Sequence, residues 1–128
     1  MAAPRTPRDR VREFGLRLPE AYEDFPWGEL VLKVNKKVFV FLGGDPSKPP
    51  SMSVKLRESH DQALDVPGAA PTGYGLGRAG WVTVPTTTTQ APLGMLCDWV
   101  EESFRIVAPK RLVAALEVSA LPSRKRAP

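Results

Sequence analysis

Cysteine occurs once in this chain, at Cys97, and histidine once, at His60. One cysteine excludes an internal disulfide, which points to a reducing compartment. A structural zinc site needs several Cys or His ligands, so one of each excludes it. No N-terminal apolar run resembles a signal peptide, and the apolar stretches are too short to span a bilayer. The expected location is the cytoplasm, with no membrane partner. Acidic residues are also outnumbered, 14 against 18 Lys and Arg, which gives a formal charge of +4. That mild excess permits contact with nucleic acid or another acidic partner without requiring it.

What is present fits one domain. A chain of 128 residues buries roughly two-thirds of its unfolded surface, enough for a core without covalent staples. The 14 prolines are about twice the usual share and cluster as punctuation between elements. The expected organisation is an N-terminal tail over 1–7, a domain over 8–117 and a basic C-terminal tail over 118–128. The tails carry Arg5 at one end and Arg124, Lys125 and Arg126 at the other. Such charge also serves solubility.

The first helix is predicted after Thr6, with Pro7 at its first position, Asp9 completing a capping box and Gly15 as a stop signal. Leu30–Val34 and Lys37–Leu42 read as strands joined by a tight Asn35-Lys36 turn, because Asn tolerates a positive φ. Strict alternation puts Val38, Val40 and Leu42 on one face and Phe39 and Phe41 on the other, as in a strand near the sheet centre. Met52, Val54 and Leu56 alternate with Ser53, Lys55 and Arg57, one face apolar and one polar. A short helix is expected over 60–66, a Gly- and Pro-rich long loop or extended crossing segment over 67–80 and a strand over 81–84. Pro92 opens the strongest helix, whose stripe is Leu93, Leu96, Cys97, Val100, Phe104 and Val107. This places Cys97 in the core as an inert thiol. A shorter helix is expected over 110–117.

These residues form a recognisable series. Leu18-Pro19-Glu20, Phe25-Pro26-Trp27-Gly28, the hairpin ending in Lys37-Val38-Phe39, Val54-Lys55-Leu56, Pro71 to Tyr74, Trp81-Val82-Thr83-Val84 and the run from Trp99 to Val107 together resemble the MmcQ/YjbR family. The resemblance covers about residues 8–117 of a chain of one-domain size. It implies an α+β fold, an antiparallel sheet with helices packed on one face, related to the frataxin-like class. For many members it also implies DNA binding. The chain departs from the family pattern at Gly80, where relatives carry a polar residue or histidine, and at Phe104, where they carry tyrosine.

No motif supports catalysis, a cofactor or a metal. Gly75-Leu76-Gly77-Arg78-Ala79-Gly80 spells a dinucleotide fingerprint, but that site needs a strand before it and a helix after it. Here a strand is expected to follow. Ser59-His60-Asp61 holds triad residue types, yet triad members converge through the fold and not through adjacency. A turn capped by Ser59 or Asp61 is the simpler reading. Arg8, Arg10 and Arg12 on the first helix repel metal cations.

The remaining signal is basic residues near aromatics. Lys36 and Lys37 sit at a hairpin tip, Lys55 and Arg57 share a polar strand face, and Arg78 precedes Trp81. Cations neutralise phosphates and exposed rings stack on bases. The sequence therefore reads as a small non-enzymatic domain contacting DNA or RNA phosphates through Lys36, Lys37, Lys55, Arg57 and Arg78. The alternative is a protein- or small-ligand-binding module with Trp27, Tyr74 and Trp81 on a concave sheet face. Lysines at a hairpin also serve solubility, and tryptophans more often pack in a core.

Overall fold

The computed structural model describes residues 6–43, 47, 49–87 and 90–124. The side chains of Trp27 and of residues 118–124 lie outside this description, as do Arg5, Lys125 and Arg126. The elements run α1 (Pro7–Leu16), β1 (Tyr22–Asp24), β2 (Leu30–Val34), β3 (Lys37–Gly43), β4 (Ser51–Lys55), α2 (His60–Leu64), β5 (Ala70–Pro71), β6 (Trp81–Pro85), α3 (Leu93–Val107) and α4 (Lys110–Arg124). Single 3₁₀ turns occupy Pro26–Gly28 and Leu76–Ala79. The strands form one antiparallel sheet in the order β1-β2-β3-β4-β6-β5. This is the expected α+β class.

The helices lie on one face. Val11 of α1, Ala63 of α2, Leu96, Trp99, Val100 and Phe104 of α3, and Leu112 and Leu116 of α4 join one apolar cluster with Leu32, Val40, Val54 and Val82 from the sheet. The Met52–Leu56 alternation holds: Met52, Val54 and Leu56 are in that cluster, while Ser53 and Lys55 point to the opposite, outer face.

Helix α1 begins as predicted. The Thr6 hydroxyl accepts from the Asp9 amide at 3.1 Å, and the Asp9 carboxylate accepts from the Thr6 amide at 3.2 Å. Gly15 does not end the helix, which continues to Leu16. It lets α1 approach the sheet: a Cβ there would lie 2.4 Å from Leu32 Cδ1. Further along the face, the Arg8 guanidinium donates to the carbonyls of Leu42 at 2.9 Å and Gly43 at 3.0 Å, tying α1 to the end of β3.

Strict alternation fails in β3. Leu32 pairs with Val40 and Lys33 with Val38, so Phe39 has no partner in β2. The extra residue is a bulge, which resets the period. Consecutive Phe39 and Val40 both enter the helix-covered core. Phe39 meets the Phe104 ring edge to face at 5.4 Å, while Phe41 emerges on the outer face against Trp81 at 5.2 Å. The two phenylalanines expected on one face therefore lie on opposite faces.

Three further expectations are revised. The buried arc of α3 centres on Leu96, Trp99, Val100 and Ser103, and Glu101 is buried with them. Cys97 lies at the margin of that arc and is half-buried, not a core residue. The segment after Pro67, expected as a loop or an extended crossing segment, contains the short strand β5 and a 3₁₀ turn, and α4 continues seven residues beyond Glu117.

Candidate nucleic-acid interface

The β2–β3 hairpin turns through Asn35 (φ 51°) and Lys36 (φ 66°). Two consecutive left-handed residues match the right-handed twist of the flanking strands. The turn leaves Lys36 and Lys37 exposed.

At the end of β4 the backbone is held by α3. Pairing of β4 with β3 involves only Val54 and Ser53. Beyond it, the Lys55 amide donates to Ser103 Oγ at 2.9 Å, and Ser103 Oγ donates to the Phe39 carbonyl at 2.6 Å. One buried hydroxyl thus bridges β3 and β4 where their own pairing stops. The Glu102 carboxylate then accepts from the amides of Arg57 at 2.7 Å and Ser59 at 3.2 Å. This pins the turn out of β4 and leaves the Arg57 side chain exposed. Lys55 is half-buried on the outer face, directly across from Trp81.

Gly80 closes the arrangement. Its carbonyl accepts from the Leu56 amide at 2.9 Å. Its φ is +98°, and a Cβ would lie 2.8 Å from the Leu56 carbonyl oxygen. Both the backbone angle and the close approach require glycine at this position, one of the two where the sequence departs from the pattern it resembles. Phe104, the other departure, is a fully buried ring. The 3₁₀ turn before Gly80 exposes Arg78.

The antiparallel registers place these segments together. The start of β3, the end of β4 and the start of β6 lie at one end of the sheet. Lys36, Lys37, Lys55, Arg57 and Arg78 therefore share that end. None of the five forms an ion pair among the described residues. Four cations elsewhere do: Arg12 with Glu23 at 2.6 Å, Lys33 with Asp24 at 3.2 Å, Arg111 with Glu20 at 3.0 Å, and Arg105 with both Glu101 and Glu117. The Arg111 hydrogen bond and charge hold the Glu20 carboxyl below its ordinary pKa. The Phe25 amide, and then Lys33, do the same for Asp24.

The aromatic candidates separate. Trp81 is 7% exposed and packs on Phe41, whereas Tyr74 is fully exposed. On the outer face beside Trp81, hydroxyls form a row across β4, β6 and the residue that follows β5, Ser53 to Thr83 at 2.7 Å and Thr83 to Thr72 at 3.0 Å.

The other motifs have local roles. The Gly75–Gly80 segment is a 3₁₀ turn flanked by left-handed glycines, and strand β6 follows it. It therefore lacks the helix N-terminus a pyrophosphate requires. Ser59 makes no side-chain cap; its amide is held by Glu102 instead. His60 Nδ1 lies 3.3 Å from the exposed Asp61 carboxylate. Among the described residues no group of three His, Cys, Asp or Glu could hold a metal ion, and no helix is long and apolar enough to cross a membrane.

A family model described as YjbR matches residues 16–106, well over half of the chain. The chain belongs to the YjbR family. No curated protein matches it. The YjbR match spans the sheet, α2 and nearly all of α3, so the basic end of the sheet and the Glu102 and Ser103 contacts that shape it lie within the family domain. Neither contact was legible as a site: a serine and a glutamate on an amphipathic helix read as its polar side.

Proposed function

We propose that this YjbR protein is a non-enzymatic nucleic-acid-binding domain, and that Lys36, Lys37, Lys55, Arg57 and Arg78 contact the phosphates. The observation that carries this reading is the gathering at one end of the sheet of five cations that have no carboxylate partner among the described residues. Pairing a lysine with a carboxylate uses up its attraction for an anion; these five keep theirs. Phosphate contacts of this kind position a ligand without reading its sequence, so the binding is sequence-tolerant and steeply salt-dependent.

The test is a titration of DNA and RNA at two salt concentrations. Four duplex phosphate contacts give a slope of log K against log salt of about −3.6. Changing Lys36 and Lys37 to Glu is expected to weaken binding to all sequences alike and to flatten that slope by roughly two. A full-length variant with Arg124, Lys125 and Arg126 changed to Gln separates the domain from its tail. Binding that survives the tail change and falls with the hairpin change supports the reading. No binding at low salt ends it, and binding lost with the tail alone moves it off the sheet.

A second reading, a protein- or small-ligand-binding module, draws on the outer face, where the Phe41–Trp81 pair borders the Ser53–Thr83–Thr72 hydroxyls. Saturable binding of an uncharged ligand, insensitive to salt, would favour it.

A further inference from the structure

Tyr74 is an expensive residue for the fold. It is the most exposed large hydrophobic among the described residues, with no ring partner there. Its φ is +60°, and that of the following Gly75 is +79°. The Leu76 amide donates to the Gly73 carbonyl at 3.2 Å, closing a tight turn around these two left-handed residues. The first central position of such a turn favours Asn, Asp or Gly, and a tyrosine there is strained. A buried ring would offset that cost, but this ring is not buried. Backbone strain without a packing return marks a functional position.

The turn is also braced. The Thr72 amide donates to Trp81, Gly77 to Thr72 and Arg78 to Gly75, with N···O distances of 3.0, 3.0 and 3.3 Å. The ring is thus held at a defined place, next to the end of β5 and four residues from Arg78, at the end of the sheet that carries the cations.

We infer that Tyr74 is a stacking platform for an unpaired base, which makes the ligand a single-stranded nucleic acid. The inference rests on the cation reading above and adds the class of ligand. Aromatic rings stack on any base whose face is free. In a duplex each base face is already covered by its neighbours, so the ring adds nothing there.

The experiment uses the full chain with mixed-sequence single-stranded DNA and RNA oligonucleotides and with the matching DNA duplex, at one low salt concentration. Tyr74→Ala is expected to weaken single-strand binding roughly ten- to a hundredfold and to leave duplex binding unchanged. Tyr74→Trp is expected to retain the preference. Tyr74→Gly relieves the turn, so its loss of single-strand affinity in a protein at least as stable separates stacking from folding. An oligonucleotide carrying 5-iodouracil is expected to photo-crosslink to the peptide containing Tyr74. If Tyr74→Ala leaves single-strand affinity intact while Lys36→Glu with Lys37→Glu lowers it, the stacking role is overturned and the cation reading stands. If the unaltered protein binds none of the probes, the cation reading falls first.

Discussion

Ser103 on α3 donates a 2.6 Å hydrogen bond to the carbonyl of Phe39, the bulged residue of β3. The same oxygen accepts from the Lys55 amide of β4. A helix side chain therefore bridges β3 and β4 where their own ladder stops. Ser103→Ala leaves a buried carbonyl and a partly covered amide without partners, which costs about 1–3 kcal/mol. Urea denaturation is expected to report that loss, and amide exchange at Lys55 to accelerate more than at Val54. Unchanged exchange at Lys55 would show that the hydroxyl is not its partner.

Two glycines are expected to respond to alanine with opposite signs. Gly15→Ala drives a methyl into Leu32, which is fully buried, and is expected to cost about 1–3 kcal/mol of stability. Gly94, exposed in the first turn of α3, has nothing within 4 Å of an added Cβ. Gly94→Ala is expected to stabilise by a few tenths to about 1 kcal/mol, from backbone entropy alone. Thermal or urea unfolding of the two variants measures both.

The capping box gives a pH dependence. The Thr6 amide, its hydroxyl and nearby arginines hold the Asp9 carboxyl below its ordinary value of 3.8. A carboxylate whose pKa is lowered by folding stabilises the protein above its unfolded pKa, and that contribution is lost as pH falls through the folded value. Stability is thus expected to fall on acidification below about pH 4, with Glu20 and Asp24 acting in the same direction. Asp9→Asn is expected to flatten part of that fall. At neutral pH Thr6→Ala is expected to cost about 1 kcal/mol. An acid titration followed by circular dichroism, run for each variant, checks the sign.

Cys97 is expected to react with a thiol reagent in the native protein, because it lies half-buried at the margin of α3. Fully buried thiols are inert until the chain unfolds. Labelling limited by the rate of global unfolding would contradict the placement.

Local chemistry was readable wherever one residue type had one structural use. Thr6, Pro7 and Asp9 started a helix, and Asn35-Lys36 turned a hairpin, as the sequence predicts. Period two described β4, whose own pairings with β3 and β6 carry no register shift. It failed in β3, because alternation assumes uninterrupted pairing and nothing in Val38-Phe39-Val40-Phe41 marks where a register slips. Gly15 was read through its backbone freedom, yet its role is to lack a side chain where two elements touch. Ser103 and Glu102 look like solvent-facing residues until the strands they serve are in place. Of the candidate site, the residue types were legible from local pattern. Their convergence at one sheet end depends on a strand order, β4 beside β6, that skips the intervening β5.

The sheet ends in strands of three residues at β1 and two at β5. Long exposed edges recruit other chains by adding strands, and natural proteins shorten or charge them to prevent it. Here each border offers only a few free amides and carbonyls, too few to seat an extended peptide or a second sheet in register. Assembly with a partner by strand exchange is thereby disfavoured, and crowding this protein to high concentration is not expected to seed fibres from its native edges.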